Sequence, residues 1–337
     1  MTKEQEFHCD VLVVGSGAAG MSAAVSAAHQ GLNVLIVEKA ARFGGTAARS
    51  GGWVWIPGSD QAKAWGHLDS IESVKRYLKH EGGASYNEER VDAFLRHGPQ
   101  AAAFFSQDTA VKFEMPLTFP DYHAEAPGAA QGGRSMVAKP FDARQLGKHL
   151  AQLEPPLPEL TVFGMMIGSG NDIRHLTSGY LLEGRTLEAL AEKAGIEVAQ
   201  FKATVEEYNR YAAYGQDPIF GKGSKAYNRY QGDALHNPNP CINTIERGPF
   251  YAVKVLPGDI GTYNGIPVDA DNRVLDQQKK PIRGLFAIGN DATSIMGGNY
   301  PGAGITLGPA LTFGYAVGQY LAHCSTPSVS ETIKKAS

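Results

Sequence analysis

What this chain has little of narrows it first. Its 337 residues include only three cysteines, Cys9, Cys241 and Cys324, far apart and without paired spacing. That excludes a disulfide frame and a metal site, and reads as reduced thiols in a reducing compartment. Charge is scarce and nearly balanced: 19% of residues are charged and the net charge is -3. Nothing electrostatic therefore recommends nucleic acid or an acidic membrane surface as a partner. There is no internal repeat and no low-complexity tract. Glu4, Glu6 and Asp10 precede the first apolar segment, unlike the basic start of a signal peptide. Residues 305–322 are apolar enough to raise a membrane-helix question. Gly308, Pro309, Gly314, Gly318 and Gln319 interrupt them, and the length is borderline, so a buried helix and no transmembrane segment are expected. These absences together place the protein in the cytoplasm as an expectation.

What is present is apolar residue in quantity (43%) and 40 glycines, clustered in punctuating loops. The first suffices for one large or two ordinary domains. The second suits a fold that holds a ligand against its backbone. The stretch that organises the chain is residues 10–38. Asp10-Val11-Leu12-Val13-Val14 reads as a buried parallel strand. It breaks into Gly15-Ser16-Gly17-Ala18-Ala19-Gly20, then small residues through Ala28 with Gly31 as the stop, then Val34-Leu35-Ile36-Val37 ending in Glu38. Gly15 makes the tight turn, Gly17 lets backbone approach a pyrophosphate, and Gly20 lets the helix pack on the strand. A helix starting near Ala18 aims free N–H groups and its positive end at that pyrophosphate. Glu38, about 20 residues on, is placed for the ribose hydroxyls and disfavours a phosphorylated ribose. The unit predicts an adenine dinucleotide site.

Downstream, Lys39 leads to Phe43-Gly44-Gly45-Thr46 and Ser50-Gly51-Gly52-Trp53, two glycine pairs that suit backbone lying flush on a flat ligand or an ordinary glycine loop. A capping box of Asp69 and Glu72 opens a helix whose face carries Ile71, Val74 and Leu78 and which Gly82-Gly83 ends. Asn87 caps the next, which carries Val91, Phe94 and Leu95 and closes at Gly98-Pro99. Residues 116–160 are irregular, and within them Asp121-Tyr122-His123 and Gly132-Gly133-Arg134 read on sequence physics as a solvent-facing turn. Helices return over residues 186–214, with Phe201, Val205, Tyr208 and Ala212 at helical spacing; 215–250 are loop-like. Residues 250–255, 268–275 (bent at 269–272) and 285–291 read as strands, and 297–308 as a glycine-rich turn into the last helix. The pattern predicts an α/β nucleotide domain completed by the C-terminus.

With Gly284-Leu285-Phe286-Ala287-Ile288-Gly289-Asn290 added to the first unit and the residue 43–57 loop, the chain resembles the FAD-dependent fumarate reductase/succinate dehydrogenase flavoprotein superfamily. Gly298-Asn299-Tyr300-Pro301-Gly302-Ala303-Gly304-Ile305-Thr306-Leu307-Gly308-Pro309 and the Pro120-Asp121-Tyr122-His123 to Arg134 loop are similar to its 3-oxosteroid 1-dehydrogenase branch. The resemblance implies a Rossmann-like FAD-binding domain of the GR2 type over residues 1–176 and 249–325, with a helical insert at 65–175. It leaves a shortened α+β substrate domain at 177–248 and a tail at 326–337. It implies FAD held non-covalently, since no histidine follows Gly44-Gly45, by Gly15, Ser16, Gly17, Ala18, Ala19, Gly20, Glu38, Lys39, Gly44, Gly45, Thr46, Ser50, Gly51, Gly52, Gly289, Asn290, Ile305, Thr306 and Leu307.

The implied chemistry is desaturation beside a ketone. Tyr300 O–H and the Gly304 N–H polarise the ketone oxygen, Tyr122 assists a base, and the amides around Ile305 to Leu307 face the flavin end that gains charge. A dicarboxylate reductase carries an arginine where this chain has Tyr300, so an apolar ketone and an electron acceptor are the implied partners, with a fumarate reductase-like enzyme the lesser alternative. Family members are longer. Around residues 176–178 the chain passes directly into the end of the catalytic domain, and the tyrosine expected as base has no counterpart. The second reading is therefore a shortened, catalytically impaired flavin-binding relative or half of an assembly, with a sheet edge left unpaired.

Overall fold

A computed structural model describes residues 6–116, 118–155, 161–162, 165–166, 179–258 and 261–325. The predicted join at 176–178 and the tail at 326–337 lie outside them. The chain divides into two compact units, residues 1–155 with 261–337 and residues 156–260.

The first unit opens with β1 (Val11–Val14), α1 (Ala18–His29) and β2 (Val34–Val37). The β-branched strands pair in parallel, Val11 against Val34 through Val14 against Val37. Side chains alternate across a strand, and Val13 turns to the α1 side, where it is buried. Leu12 (57% exposed) and Val14 (77%) face the other way. Among the described residues this sheet has two strands only, so both edges are open and the Leu12 and Val14 face of β1 is bare, in keeping with the unpaired sheet edge expected.

Next come β3 (Trp53–Trp55), α2 (Asp60–Ala64), α3 (Ile71–Gly82), α4 (Glu88–Asp108), β4 (Phe113–Glu114) and β5 (Ser135–Ala138). The three strands form an antiparallel sheet in the order β3-β5-β4, and β5 lies within the stretch expected to be irregular. The cap of α3 is Ser70, whose hydroxyl accepts from Ser73 N–H, rather than Asp69, whose carboxylate is committed to Arg134. Asn87 does cap α4, but α4 does not close at Pro99. It runs on to Asp108, because its buried face packs through Ala101, Ala102, Phe104 and Phe105 and that packing outweighs one lost amide bond.

The second unit is residues 156–260. It holds β6 (Thr161–Val162) paired with β7 (Met165–Met166), and β8 (Leu181–Gly184), with α5 (Leu187–Ala194) and α6 (Val198–Ala212) following. A short α7 (Ala226–Tyr230) interrupts the expected loop, and β9 (Phe250–Val253) returns antiparallel to β8. Thr186 and Glu197 cap α5 and α6.

The chain re-enters the first unit through β10 (Arg273–Leu275) and β11 (Pro281–Phe286), an antiparallel pair, and ends in α8 (Leu307–Ser325). Residues 269–272 make a tight turn rather than a bent strand. The Asp269 carboxylate accepts from the Asp271 and Arg273 amides, and Asn272 has φ 62°. The small residues of α1 now have a purpose: a Cβ on Gly314 would stand 2.6 Å from Ser22 Cβ, and one on Gly318 2.5 Å from Ser26 Cβ. α8 thus lies almost backbone to backbone on α1. None of the described helices is long and apolar enough to cross a membrane.

Candidate active site

The cofactor side is built from backbone. Gly15 turns with φ 98°, and a Cβ on Gly20 would lie 2.0 Å from Gly15 O, so the first turn of α1 closes onto β1 only without side chains. Gly45, also at positive φ, brings a second chain segment to the Gly17 Cα, where a Cβ would be at 3.6 Å. Gly289 does the same against Ala19, where a Cβ would meet the alanine methyl at 2.7 Å. Three glycine turns thus converge on the N-terminus of α1, an anion-binding position.

Glu38 closes this ring. Its Oε2 accepts from Ser16 N–H at 2.9 Å and Ser16 Oγ at 2.5 Å, and its Oε1 accepts from Ala40 N–H at 2.9 Å. Gly44 N–H in turn donates to Ser16 Oγ at 3.0 Å. The Ala40 amide and then Ser16 hold the carboxyl down to about 2. It is therefore ionised and has lone pairs left for ribose hydroxyls. Lys39, Thr46, Ser50 and Asn290 are exposed beside these turns. This all-backbone cradle with one fixed acceptor fits the adenosine and pyrophosphate portion of FAD.

The other side is built from buried side chains. The Trp55 indole Nε1–H donates to Asp121 Oδ1 at 2.9 Å, and Arg134 Nη1 donates to Asp121 Oδ2 at 2.7 Å. Arg134, 1% exposed, also grips Asp69 through Nε and Nη2 at 2.6 and 3.0 Å. Burial opposes the Arg134 cation, but the Asp69 hydrogen bonds and the Asp121 charge outweigh it and push its pKa up. The Asp121 turn is therefore not solvent-facing. It is an anchored loop whose burial is supplied by β3, α3 and residues 128–134.

That loop presents Tyr122, which stacks on Tyr300 with ring centroids 5.8 Å apart and planes 14° apart. Pro301 O accepts from both Tyr122 N–H (2.9 Å) and Tyr77 Oη (2.6 Å). Burial, then the Asp121 and Glu81 charges, pushes the Tyr77 phenol up, so it stays a donor. Gly304, at φ 89°, lies on β3: its carbonyl accepts from Trp55 N–H at 3.1 Å, and a Cβ would be 2.4 Å from Val54 N. Ile305, Thr306 and Leu307 follow into the start of α8. The two predicted tyrosines and Gly304 are thus on loops fixed to one scaffold.

A cleft lined by Arg90, Tyr263, Gly289, Asn290, Thr306 and Pro309 opens at the N-terminus of α8. Arg90, 4% exposed, donates to Thr293 O and lies 5.4 Å over the Phe313 ring; burial lowers it to about 10, still cationic. Burial and the nearby Tyr300 push the Tyr263 phenol up. Sequence reasoning gave no role to Arg90, Tyr263, Tyr77 or Glu81. The one available signal was polar groups at helical spacing on apolar faces, as with Tyr77 and Glu81 beside Val74 and Leu78.

Comparison with known proteins gives the same fold and cofactor. The FAD binding domain family model matches residues 10–187 and 165–307. A 4-oxocyclohex-2-ene-1-carboxylate 5-dehydrogenase of Sinomonas cyclohexanicum is 27% identical over 558 positions, covering 94% of each chain. A 337-residue chain matched end to end over that span leaves a long interior stretch of the relative without a counterpart, and the two family matches meet at 165–187. A 4-oxocyclohexanecarboxylate 2-dehydrogenase of the same organism is 48% identical over 147 residues, 43% of this chain and 26% of that protein. The crystal structure of the 3-ketosteroid delta1-dehydrogenase of Sterolibacterium denitrificans shares the fold, with a TM-score of 0.83 at 24% identity over 94% of this chain and all of that one. With FAD as its cofactor, this chain belongs to the FAD binding domain family, as an FAD-dependent oxidoreductase of the 3-oxosteroid dehydrogenase and fumarate reductase group.

Proposed function

We propose that the chain desaturates a ring ketone beside its carbonyl, with a 3-ketosteroid or similar polycyclic ketone as substrate. The observation that carries this reading is the stacked Tyr122–Tyr300 pair beside Gly304 at the N-terminus of α8. A tyrosine hydroxyl donates to a ketone oxygen but does not neutralise a carboxylate, which argues against a dicarboxylate substrate. The Sinomonas relatives are named for 4-oxocyclohexane-type carboxylates; these share the ring ketone with steroids and are the competing substrates to test.

Bound non-covalently by the glycine turns and Glu38, FAD supplies the acceptor for a hydride. The chain's own residues polarise the ketone and assist the removal of its proton. Tyr300 O–H and Gly304 N–H donate to the ketone oxygen as enolate charge develops, which acidifies the adjacent C–H. Tyr122, whose hydroxyl ionises near pH 10 when free, assists the base that accepts that proton. The C–H electrons move into the new C=C bond as the hydride leaves the neighbouring carbon. The unit of residues 1–155 and 261–337 would hold the flavin, and the 156–260 unit the remnant of the substrate domain.

Tyr300→Phe should cost about 10²-fold or more in turnover while leaving FAD bound, measured by anaerobic steroid oxidation and flavin absorbance. Unchanged turnover would remove the ketone-polarising role. A second reading also has an observation behind it, the bare Leu12 and Val14 face of β1. On this reading the chain binds flavin but turns over only when another polypeptide supplies what the interior stretch supplies in relatives.

A further inference from the structure

One face of α3 touches both tyrosine-bearing loops. Val74, Tyr77, Leu78 and Glu81 recur on it at helical spacing, and all are buried. Glu81 is the anomaly, a carboxylate 6% exposed on an apolar stripe, a placement that is costly unless hydrogen-bonded. Its two connections run to different loops. Oε2 accepts from His123 Nδ1 at 2.8 Å, next to Tyr122. Its backbone carbonyl accepts from Asn299 Nδ2 at 2.7 Å, next to Tyr300. One turn earlier, Tyr77 holds Pro301 O, the carbonyl that also receives the Tyr122 amide. One residue later, Gly297 comes so close to α3 that a Cβ on it would lie 2.5 Å from Gly82 Cα.

We propose that Glu81 is a positioning residue that sets the distance and tilt between Tyr122 and Tyr300, acting through His123 on one side and Asn299 on the other. The proposal rests on the ketone reading above. Two hydroxyls that serve one reacting centre from separate loops, one on the ketone and one on the base, need a common rigid reference, and the last turn of α3 is that reference. Because the His123 link is a hydrogen bond to a carboxylate, a neutral acceptor of the same shape keeps the geometry, whereas truncation releases the Tyr122 loop.

The test uses the full FAD-loaded chain with Glu81→Ala and His123→Ala, and with Glu81→Gln and His123→Asn as shape-conserving partners. Asparagine Nδ2 stands where imidazole Nδ1 stood. Loss of a hydrogen bond to a charged group should weaken 3-ketosteroid binding about tenfold, read from the flavin absorbance change. Tyr122 amide hydrogen exchange should accelerate by a similar factor while FAD affinity is unchanged, and both conservative variants should restore the parent values. His123 is half exposed, so His123→Ala tests the link even where Glu81→Ala fails to fold. Alanine variants with parent ketone affinity and parent Tyr122 exchange overturn the proposal, as do conservative variants as impaired as the alanines. Should the parent protein show no response to a ketone, the ketone reading fails, and the Tyr122 exchange series still decides the role of Glu81.

Discussion

The two halves of the site are held by opposite means. Around Tyr122 and Tyr300 the structure spends buried charge: Arg134 between Asp69 and Asp121, Trp55 on Asp121, Glu81 on His123. Around the α1 N-terminus it uses backbone, glycine turns and one carboxylate at the surface, on a sheet that among the described residues has two strands and leaves Leu12 and Val14 exposed. A side chain that must orient a substrate bond needs a rigid frame. A pyrophosphate needs only amides pointing one way. Among the described residues the first half is held by its own side-chain network, whereas nothing covers the bare face of the second half's sheet.

The comparison breaks most sharply at Arg134. Arg134→Ala strips the partner from two carboxylates, one of them buried, and should destabilise the fold by about 3–5 kcal/mol, seen as a lower urea midpoint. A loss under about 1 kcal/mol would mean that the network is ornamental. Gly20→Val should act on the other half: it drives a side chain into Gly15 O and should abolish FAD retention on gel filtration. Retained FAD would show that the turn tolerates a shift the geometry forbids. Glu38→Gln removes charge but not shape, and loss of its charge-assisted bonds should weaken FAD binding about tenfold by fluorescence titration. In the parent protein the Glu38 carboxyl should titrate near 2 by carbon NMR. Because the folded value is depressed, its contribution is full above the ordinary carboxylate range and is lost as pH falls through about 2; a midpoint near 4.5 would contradict the Ser16 and Ala40 bonds. The smallest effect belongs to Val14→Thr. On a bare face it should change stability by no more than about 0.5 kcal/mol. A loss of 2 kcal/mol or more (roughly the cost of emptying a core position) would reveal that something covers β1.

The cofactor half was legible in the sequence because its information is local. Strand, glycine spacing, helix and acid lie within residues 10–38, and the structure keeps each in place, although β1 is not the buried strand expected: Leu12 and Val14 are exposed. The tyrosine half was legible only as a resemblance. Asp121 looked like a turn in a proline-rich loop, since its burial depends on Trp55, 66 residues away, and on an Arg134 that is itself anchored by Asp69, 65 residues away. The same holds for α4, where Pro99 reads as a stop until the packed residues beyond it are seen. It holds also for the α3 cap, where the ion pair with Arg134 takes Asp69 and leaves Ser70 to the helix.

The central claim is that this chain, as it stands, binds FAD in a pocket where a ring ketone reduces it. The most direct test is an anaerobic absorbance spectrum of the FAD-reconstituted protein before and after adding a 3-ketosteroid, with 4-oxocyclohexanecarboxylate in a parallel cuvette. The account predicts a stoichiometric flavin band that bleaches with the steroid. A band that forms but stays unbleached with either ketone would contradict the activity, and a protein that gains no flavin band would contradict the cradle itself.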